Sequence, residues 1–159
     1  MTDRHGRPRL ALVSATVSVV ALIGGWTYAA ALQPAGIDWS QLSISTLAAQ
    51  TTPHRWAMTT AFLLTGLGYV TTAATLPRLR RPGRILLAVA GVATMLVAAL
   101  PLPAAGEGSL PHGLVAGTAF VALALWPWWL VRSPLLQRGV TIGFAILVAI
   151  GLALLVSAD

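Results

Sequence analysis

Long apolar runs alternate with short polar segments along the chain, and no charged residue falls within a run. Five runs are present, covering residues 10–32, 56–76, 85–102, 112–131 and 140–156. A helix that crosses the roughly 30 Å hydrocarbon core of a membrane needs about 20 residues, with a usable range of about 17 to 25. Because backbone groups in lipid must pair within their own segment, the runs indicate helices. The pattern predicts an all-α fold, a polytopic transmembrane helix bundle of about five spans.

Composition agrees with a membrane protein. The chain is 57% hydrophobic and 9% charged, whereas soluble proteins carry roughly 25% charged residues. We expect a single domain, because nothing along residues 1–159 marks a second core. Cysteine is absent, which excludes disulfides, thiolate metal sites and a cysteine nucleophile. No cofactor is predicted.

Arginine is distributed unevenly between the connecting segments. The N-terminal tail and the segments after the second and fourth runs lie on one side of the membrane. They hold nine of the ten basic residues: Arg4, Arg7, Arg9, Arg78, Arg80, Arg81, Arg84, Arg132 and Arg138. The other side carries Arg55, Asp38, Glu107 and Asp159. Because basic loops stay in the cytoplasm, we predict a cytoplasmic N-terminus and an extracytoplasmic C-terminus.

The net charge of +6 would favour a nucleic-acid partner in a soluble protein. Here the arginines lie between apolar runs, so membrane lipids with anionic headgroups are the predicted partners and nucleic acid is not. Arg78, Arg80, Arg81 and Arg84 are predicted to set topology and contact headgroups. The bias towards Ala, Leu, Val, Gly and Arg, without Lys, is typical of a bacterial protein, which indicates the bacterial plasma membrane.

The first run can also be interpreted as a signal peptide. It follows a basic start and ends in the small residues Ala29, Ala30 and Ala31. However, the run is longer than the roughly 7 to 15 apolar residues of a signal core. We therefore predict a retained span.

His112 is the most suggestive polar residue. It follows Ser109, which is placed to cap the fourth span, and Pro111, which suits a first helical turn. In one interpretation its imidazole hydrogen-bonds the first outer loop, residues 33–55, and fixes that loop on the bundle. In the other it acts as a base or a metal ligand.

Other polar residues on the predicted outer side extend the second interpretation. Ser45, His112 and either Asp38 or Glu107 are the residue types of a hydrolase site, and His54 with His112 is a candidate metal pair. Neither set has diagnostic spacing, so these are weak candidates. No charged residue is predicted to lie in the middle of the membrane, which argues against a proton-coupled pump.

Small residues recur at helical spacing in the last two runs. Gly113 and Gly117 form a G-x-x-x-G pair in the fourth, and Gly139 and Gly143 form another at the start of the fifth. Such pairs let helices approach closely. They predict packing within this bundle, or against another membrane protein subunit.

Three short motifs carry a resemblance to a known family. Ile44-Ser45-Thr46-Leu47 contains a Ser-x-Leu motif, residues 101–103 give the third span a Pro-containing end, and His112-Gly113 opens the fourth. With the spacing of the spans, the chain resembles the bacterial membrane family called domain of unknown function 998, which is distantly similar to FRAG/DRAM/SFK-like membrane proteins. That family commonly has six spans and no established activity, so the resemblance points to Ser45 and His112 without assigning them a reaction.

Three functions fit these observations. The first is a non-enzymatic lipid-associated bundle or an accessory subunit of a membrane assembly. The second is a lipid-directed enzyme with an outer-face site around Ser45 and His112, which requires those side chains and an acid to converge. The third is a transporter of a lipid or apolar solute, which requires a cavity near the membrane midplane.

Overall fold

The structure, a computed structural model, describes residues 6–34, 43–76 and 79–129. Every regular element in this part of the chain is helical. The four long helices are α1 (Gly6–Ala31), α2 (Trp56–Thr75), α3 (Arg81–Ala99) and α4 (Leu110–Leu125), and two short 3-10 helices cover Ile44–Ala48 and Trp126–Trp129. The predicted all-helical class is confirmed.

Four segments are long and apolar enough to cross a membrane: Pro8–Ala31, Trp56–Thr75, Arg81–Ala99 and Leu110–Trp129. They correspond to the first four predicted spans. The fifth predicted run, residues 140–156, lies outside the described residues, as do Gly139 and Gly143. The number of spans and their orientation in the membrane therefore stay predictions.

Three helices begin before their predicted starts, and the smallest difference is at α4, which begins at Leu110 instead of residue 112. The third was expected from residue 85 but α3 begins at Arg81, and the first was expected from residue 10 but α1 begins at Gly6. The prediction followed the edge of the apolar run, whereas a helix continues into the polar boundary wherever the backbone allows. Pro82 in the first turn of α3 supports the early start, because proline is preorganised for that position.

Consecutive helices pack antiparallel, α1 on α2, α2 on α3 and α3 on α4. At one end of the bundle His112 joins the end of α3 to the start of α4, and the segment Ile44–Ala48 contacts α1 and α2; we call this the loop end. The opposite end holds Arg80, Arg81 and Arg84 with Trp126–Trp129, and we call it the basic end.

Hydroxyl side chains join α1 to α2 along their length. Ser14 Oγ and Thr72 Oγ1 lie 2.7 Å apart. One turn away, Ser18 Oγ donates to the Thr65 carbonyl at 3.2 Å, and Thr65 Oγ1 donates to the Ser18 carbonyl at 3.3 Å. In a bundle where lipid and protein interiors are equally apolar, such bonds and close packing hold helices together.

Glycines allow α2 and α3 to approach closely. A Cβ on Gly66 would lie 2.5 Å from the Gly91 carbonyl oxygen, and a Cβ on Gly91 would lie 2.6 Å from the Gly66 carbonyl oxygen. The two backbones are therefore in direct contact, and any larger residue at either position requires the helices to separate. Gly68 plays the same part against Ser18 of α1.

The interior of the bundle is rich in small and hydroxyl-bearing residues beside a few large ones such as Met58 and Phe62, while many large apolar side chains point outwards. Ala29, Ala90 and Ser18 are completely buried. A soluble protein rarely exposes large continuous apolar surface, and here each described long helix does so. The most exposed large side chains of these four helices include Leu12, Val20, Leu67, Ile85, Leu114 and Phe120.

Candidate functional site

The described part of the first outer loop from residue 43 to residue 55 lies on the loop end of the bundle. Its 3-10 helix, Ile44–Ala48, is flanked by extended residues Ser43 and Ala49. Leu47 is only 1% exposed and packs with Met58 of α2 in the same apolar cluster. Burying an apolar side chain of this size stabilises the fold by about 1.5–3 kcal/mol, so this segment is an integral part of the bundle.

Hydrogen bonds fix the rest of the described loop. Thr52 Oγ1 donates to the Thr46 carbonyl at 2.7 Å. The Gln50 backbone N–H donates to the Leu102 carbonyl at 2.9 Å, which joins this loop to the segment that follows α3. The two predicted outer loops thus form one layer over the loop end.

His112 is 5% exposed and connects α3 to α4. Its Nδ1 lies 2.7 Å from the Leu100 carbonyl oxygen. A carbonyl only accepts, so Nδ1 carries the proton and donates. Leu100 is the C-terminal cap of α3, where carbonyls lack an intrahelical partner. The backbone N–H of His112 also donates to Ser109 Oγ at 3.5 Å, which confirms the predicted cap.

This bond revises one expectation and leaves another open. In one interpretation the imidazole binds the first outer loop, but its partner is the end of α3, where the Leu100 carbonyl lacks an acceptor role within its own helix. The structure shows no hydrogen bond between Ser45 and His112 in the described part of the chain. A catalytic role for either residue stays a prediction.

Ser45 and Ile44 of the 3-10 helix reach a partly open cavity that is lined by all four long helices. On α4 the wall of the cavity includes Ala116 and Ala119, so the first outer loop and α4 line the same cavity. The cavity extends to Thr65, which lies at the middle of α2. Ser45 therefore faces an apolar interior.

The remaining candidate site residues do not gather around His112. Glu107 and His54 are exposed on separate turns, and His54 adopts a positive φ of 54°. Asp38 lies outside the described residues. Among the residues that the structure describes, no group of three or more His, Asp or Glu side chains is placed to hold a metal ion.

The basic end concentrates positive charge around the start of α3. Arg80 and Arg81 are exposed, whereas Arg84 is half-buried. Its Nη2 donates to the Leu76 carbonyl at 3.3 Å, and its Nε is buried without a hydrogen-bond partner. Leu76 caps α2, so Arg84 connects α2 to α3 much as His112 connects α3 to α4. Arg78 lies outside the described residues.

Gly113 and Gly117 lie on the exposed face of α4. A Cβ on either would meet nothing within 4 Å. Helices α1 to α3 therefore do not use this glycine pair, and its packing role stays a prediction. The glycines that do bring helices together in the described structure include Gly25, Gly66, Gly68 and Gly91, which sequence reasoning did not single out.

Sequence reasoning also missed Ser14 and Ser18. Both lie in a long apolar run, where a single serine does not by itself indicate a contact between helices. Their spacing of four residues is the available signal, since residues four apart share one helix face. Thr65 and Thr72 in the second run are seven residues apart, which also places them on one helix face, and they contact the two serines.

The chain was compared with known families, curated proteins and solved structures. Its residues 7–159 match the family described as "Protein of unknown function (DUF998)". Neither the curated proteins nor the solved structures gave a significant match. The match covers nearly the whole chain, including all four described helices. The protein therefore belongs to the DUF998 family of proteins of unknown function.

Proposed function

We propose that this protein is a non-enzymatic, lipid-associated helix bundle of the bacterial plasma membrane, with its basic end in the cytoplasm. The observation that carries the proposal is the distribution of side chains. Large apolar residues such as Leu67 and Phe120 point outwards, and small or hydroxyl-bearing residues lie inside. Lipid chains are the solvent that suits such a surface.

The arginines at the basic end support association with anionic headgroups. Arg80 and Arg81 are exposed beside half-buried Arg84. No carboxylate forms a salt bridge with them in the described part of the chain, and Arg84 Nε lacks an acceptor. Phosphate oxygens form strong charge-assisted hydrogen bonds with arginine, and basic residues next to a membrane are attracted to anionic lipid.

The test is the retention of phosphatidylglycerol by purified protein, measured by native mass spectrometry in mild detergent. We expect Arg84→Gln to weaken retention about tenfold or more, because a charged hydrogen bond contributes about 1.5–3 kcal/mol. Arg55→Gln is the matched control, since Arg55 is an exposed arginine at the loop end. Equal loss in the two variants, or no preference over phosphatidylcholine, would contradict headgroup binding at the basic end.

A second candidate function is that of an accessory subunit. The exposed glycine pair on α4 supports it, because Gly113 and Gly117 leave a flat, close-approach surface that α1 to α3 do not cover. In membranes such surfaces receive a partner helix. That helix would come from another subunit or from the run at residues 140–156, which is not among the described residues.

A pull-down from native membranes in mild detergent distinguishes these partners. The double variant Gly113→Ile and Gly117→Ile should release a partner subunit. Gly24→Ile on α1 is the control, because it also meets nothing within 4 Å. If no protein co-purifies with the unmodified chain, the accessory-subunit candidate is wrong.

A further inference from the structure

A cavity between the four helices is not explained by lipid association at the outer surface. Its volume is about 70 Å³. A water molecule needs roughly 10–15 Å³ on the same measure, so several methylene-sized groups fit. Each long helix contributes to the wall, for example Leu22 from α1, Phe62 and Tyr69 from α2, Val97 from α3 and Ala119 from α4.

The cavity is elongated along the helix axes. Its lining runs from Phe62 to Tyr69 on α2 and from Ala116 to Leu123 on α4. Each stretch corresponds to about 10 Å at a rise of 1.5 Å per residue. The 3-10 helix Ile44–Ala48 lies over the end nearest the loops. A narrow space parallel to the helices is also parallel to the acyl chains of a surrounding bilayer.

The wall offers little to a polar ligand. Thr65 Oγ1 donates to the Ser18 carbonyl and Thr94 Oγ1 donates to the Ala90 carbonyl, so neither hydroxyl has a hydrogen left to donate to a ligand. Ser45 and Tyr69 lie towards opposite ends of the cavity. The lining residues other than these two and the two threonines are apolar. Water needs two to four polar partners to occupy a cavity stably. The middle of this cavity therefore suits an apolar chain.

We propose that the cavity binds one acyl chain of a membrane lipid, held parallel to the helices beneath the 3-10 helix Ile44–Ala48. The inference extends the proposed lipid association from the surface to a defined internal site. The lipid surrounding the exposed side chains supplies the occupant, and the wall excludes the polar headgroup. A ligand with polar groups along its length is not accommodated.

The test uses purified protein reconstituted in phosphatidylcholine vesicles that contain a phosphatidylcholine with a diazirine in one acyl chain. Illumination attaches the chain to residues it touches, and peptide mass spectrometry locates the adducts. Thr65 and Thr94 are buried and line the cavity, so only a chain inside it reaches them. Leu67 and Leu114 are exposed on the outer surface and report surrounding lipid.

A variant that fills the cavity, called the filling variant, makes the test specific. Ala119→Phe places a ring in the cavity and should lower labelling of Thr65 and Thr94 at least about tenfold, while Leu67 and Leu114 stay labelled. Ala74→Phe is the matched control, because Ala74 is exposed on α2 away from the cavity. If Ala119→Phe does not fold, as judged by gel filtration, Ala116→Phe replaces it, since Ala116 also lines the cavity.

Each outcome decides the proposal. Labelling of Thr65 and Thr94 that falls only in the filling variant supports it. Labelling confined to Leu67 and Leu114 overturns the internal site but leaves surface lipid association intact, and no labelling at any of the four contradicts both. Labelling of the cavity residues by a small apolar diazirine, but not by the lipid, overturns the acyl chain as occupant.

Discussion

His112 shows how a polar side chain is kept at the end of a membrane helix. Its Nδ1 donates to the Leu100 carbonyl at 2.7 Å, and its own backbone N–H is capped by Ser109. The bond supplies a donor to a helix-terminal carbonyl that has no intrahelical partner. Whatever else the imidazole does, it contributes to the contact between α3 and α4.

The first prediction follows from that bond. His112→Ala should lower the free energy of unfolding by about 1 kcal/mol, in the range of hydrogen bonds between membrane helices. Denaturation by sodium dodecyl sulfate, followed by circular dichroism, measures the change. His54→Ala is the control, because His54 is exposed and should tolerate the change. Full stability of His112→Ala, combined with loss of a measured activity, would favour a site over a structural role.

The second prediction concerns the contact between Gly66 and Gly91. Gly91→Ala should destabilise the bundle by about 1–3 kcal/mol, because the added methyl overlaps backbone that cannot retreat without separating the helices. The same denaturation assay applies.

Gly117→Ala is the matched control for that change. Its added methyl meets no atom within 4 Å, and alanine favours a helix over glycine by up to about 1 kcal/mol. A stable Gly91→Ala protein would show that α2 and α3 do not approach as closely as the structure indicates.

At the level of elements, the same kind of hydrogen bond recurs at two of the connections between helices. A donor in the first turn of a helix bonds the C-terminal cap of the helix before it: Arg84 to Leu76 between α2 and α3, and His112 to Leu100 between α3 and α4. Each bond fixes the distance between neighbouring helix ends. Hydrogen bonds at the helix ends therefore stabilise the antiparallel packing, in addition to the contacts along the helix faces.

The third prediction tests the hydroxyl contacts between α1 and α2. Ser14→Ala and Thr72→Val remove the two ends of one 2.7 Å bond, and a double-mutant cycle gives their coupling. We expect about 0.6 kcal/mol and at most about 1.7 kcal/mol. Thr59→Val with Ser14→Ala is the control pair, since Thr59 bonds only its own helix. Equal coupling in both pairs would show that the hydroxyls do not join the helices.

Much of the element pattern was readable from the sequence, because hydropathy determines which segments enter lipid. The runs at residues 56–76 and 112–131 correspond to α2 and α4, and Ser109 caps as expected. The helix starts were displaced, because the helical backbone continues beyond the apolar edge. The sequence does not reveal that Ile44–Ala48 packs over a cavity, since that depends on the relative placement of four helices.

At the level of the whole molecule, the described part of the chain places many small and hydroxyl-bearing residues inside and many large apolar ones outside. Close backbone contacts at Gly66 and Gly91 compensate for the absence of a hydrophobic driving force between helices in lipid. Charge is concentrated at one end, around Arg80, Arg81 and Arg84. Together these features predict a bundle with a defined direction across the membrane.

The fourth prediction addresses that direction. Replacing Arg80, Arg81 and Arg84 together with Gln should invert or impair insertion, because basic loops retain their side of the membrane in the cytoplasm. Protease protection in membrane vesicles measures the orientation. Replacing Arg55 alone should leave it unchanged. Normal insertion of the triple variant would show that the cluster serves headgroups or a partner instead of topology.

The most direct test of a membrane-spanning bundle uses single cysteines, since the natural chain has none. Cysteine replaces Ser43 at the loop end, Pro8 at the basic end or Leu67 at the middle of α2, all of which are exposed. In intact cells a membrane-impermeant maleimide should label Ser43→Cys alone. Pro8→Cys should react only after the membrane is opened, and Leu67→Cys should stay protected by lipid until detergent is added. Labelling of Leu67→Cys in intact membranes, or of both ends from outside, would contradict a bundle that crosses the bilayer with its basic end in the cytoplasm.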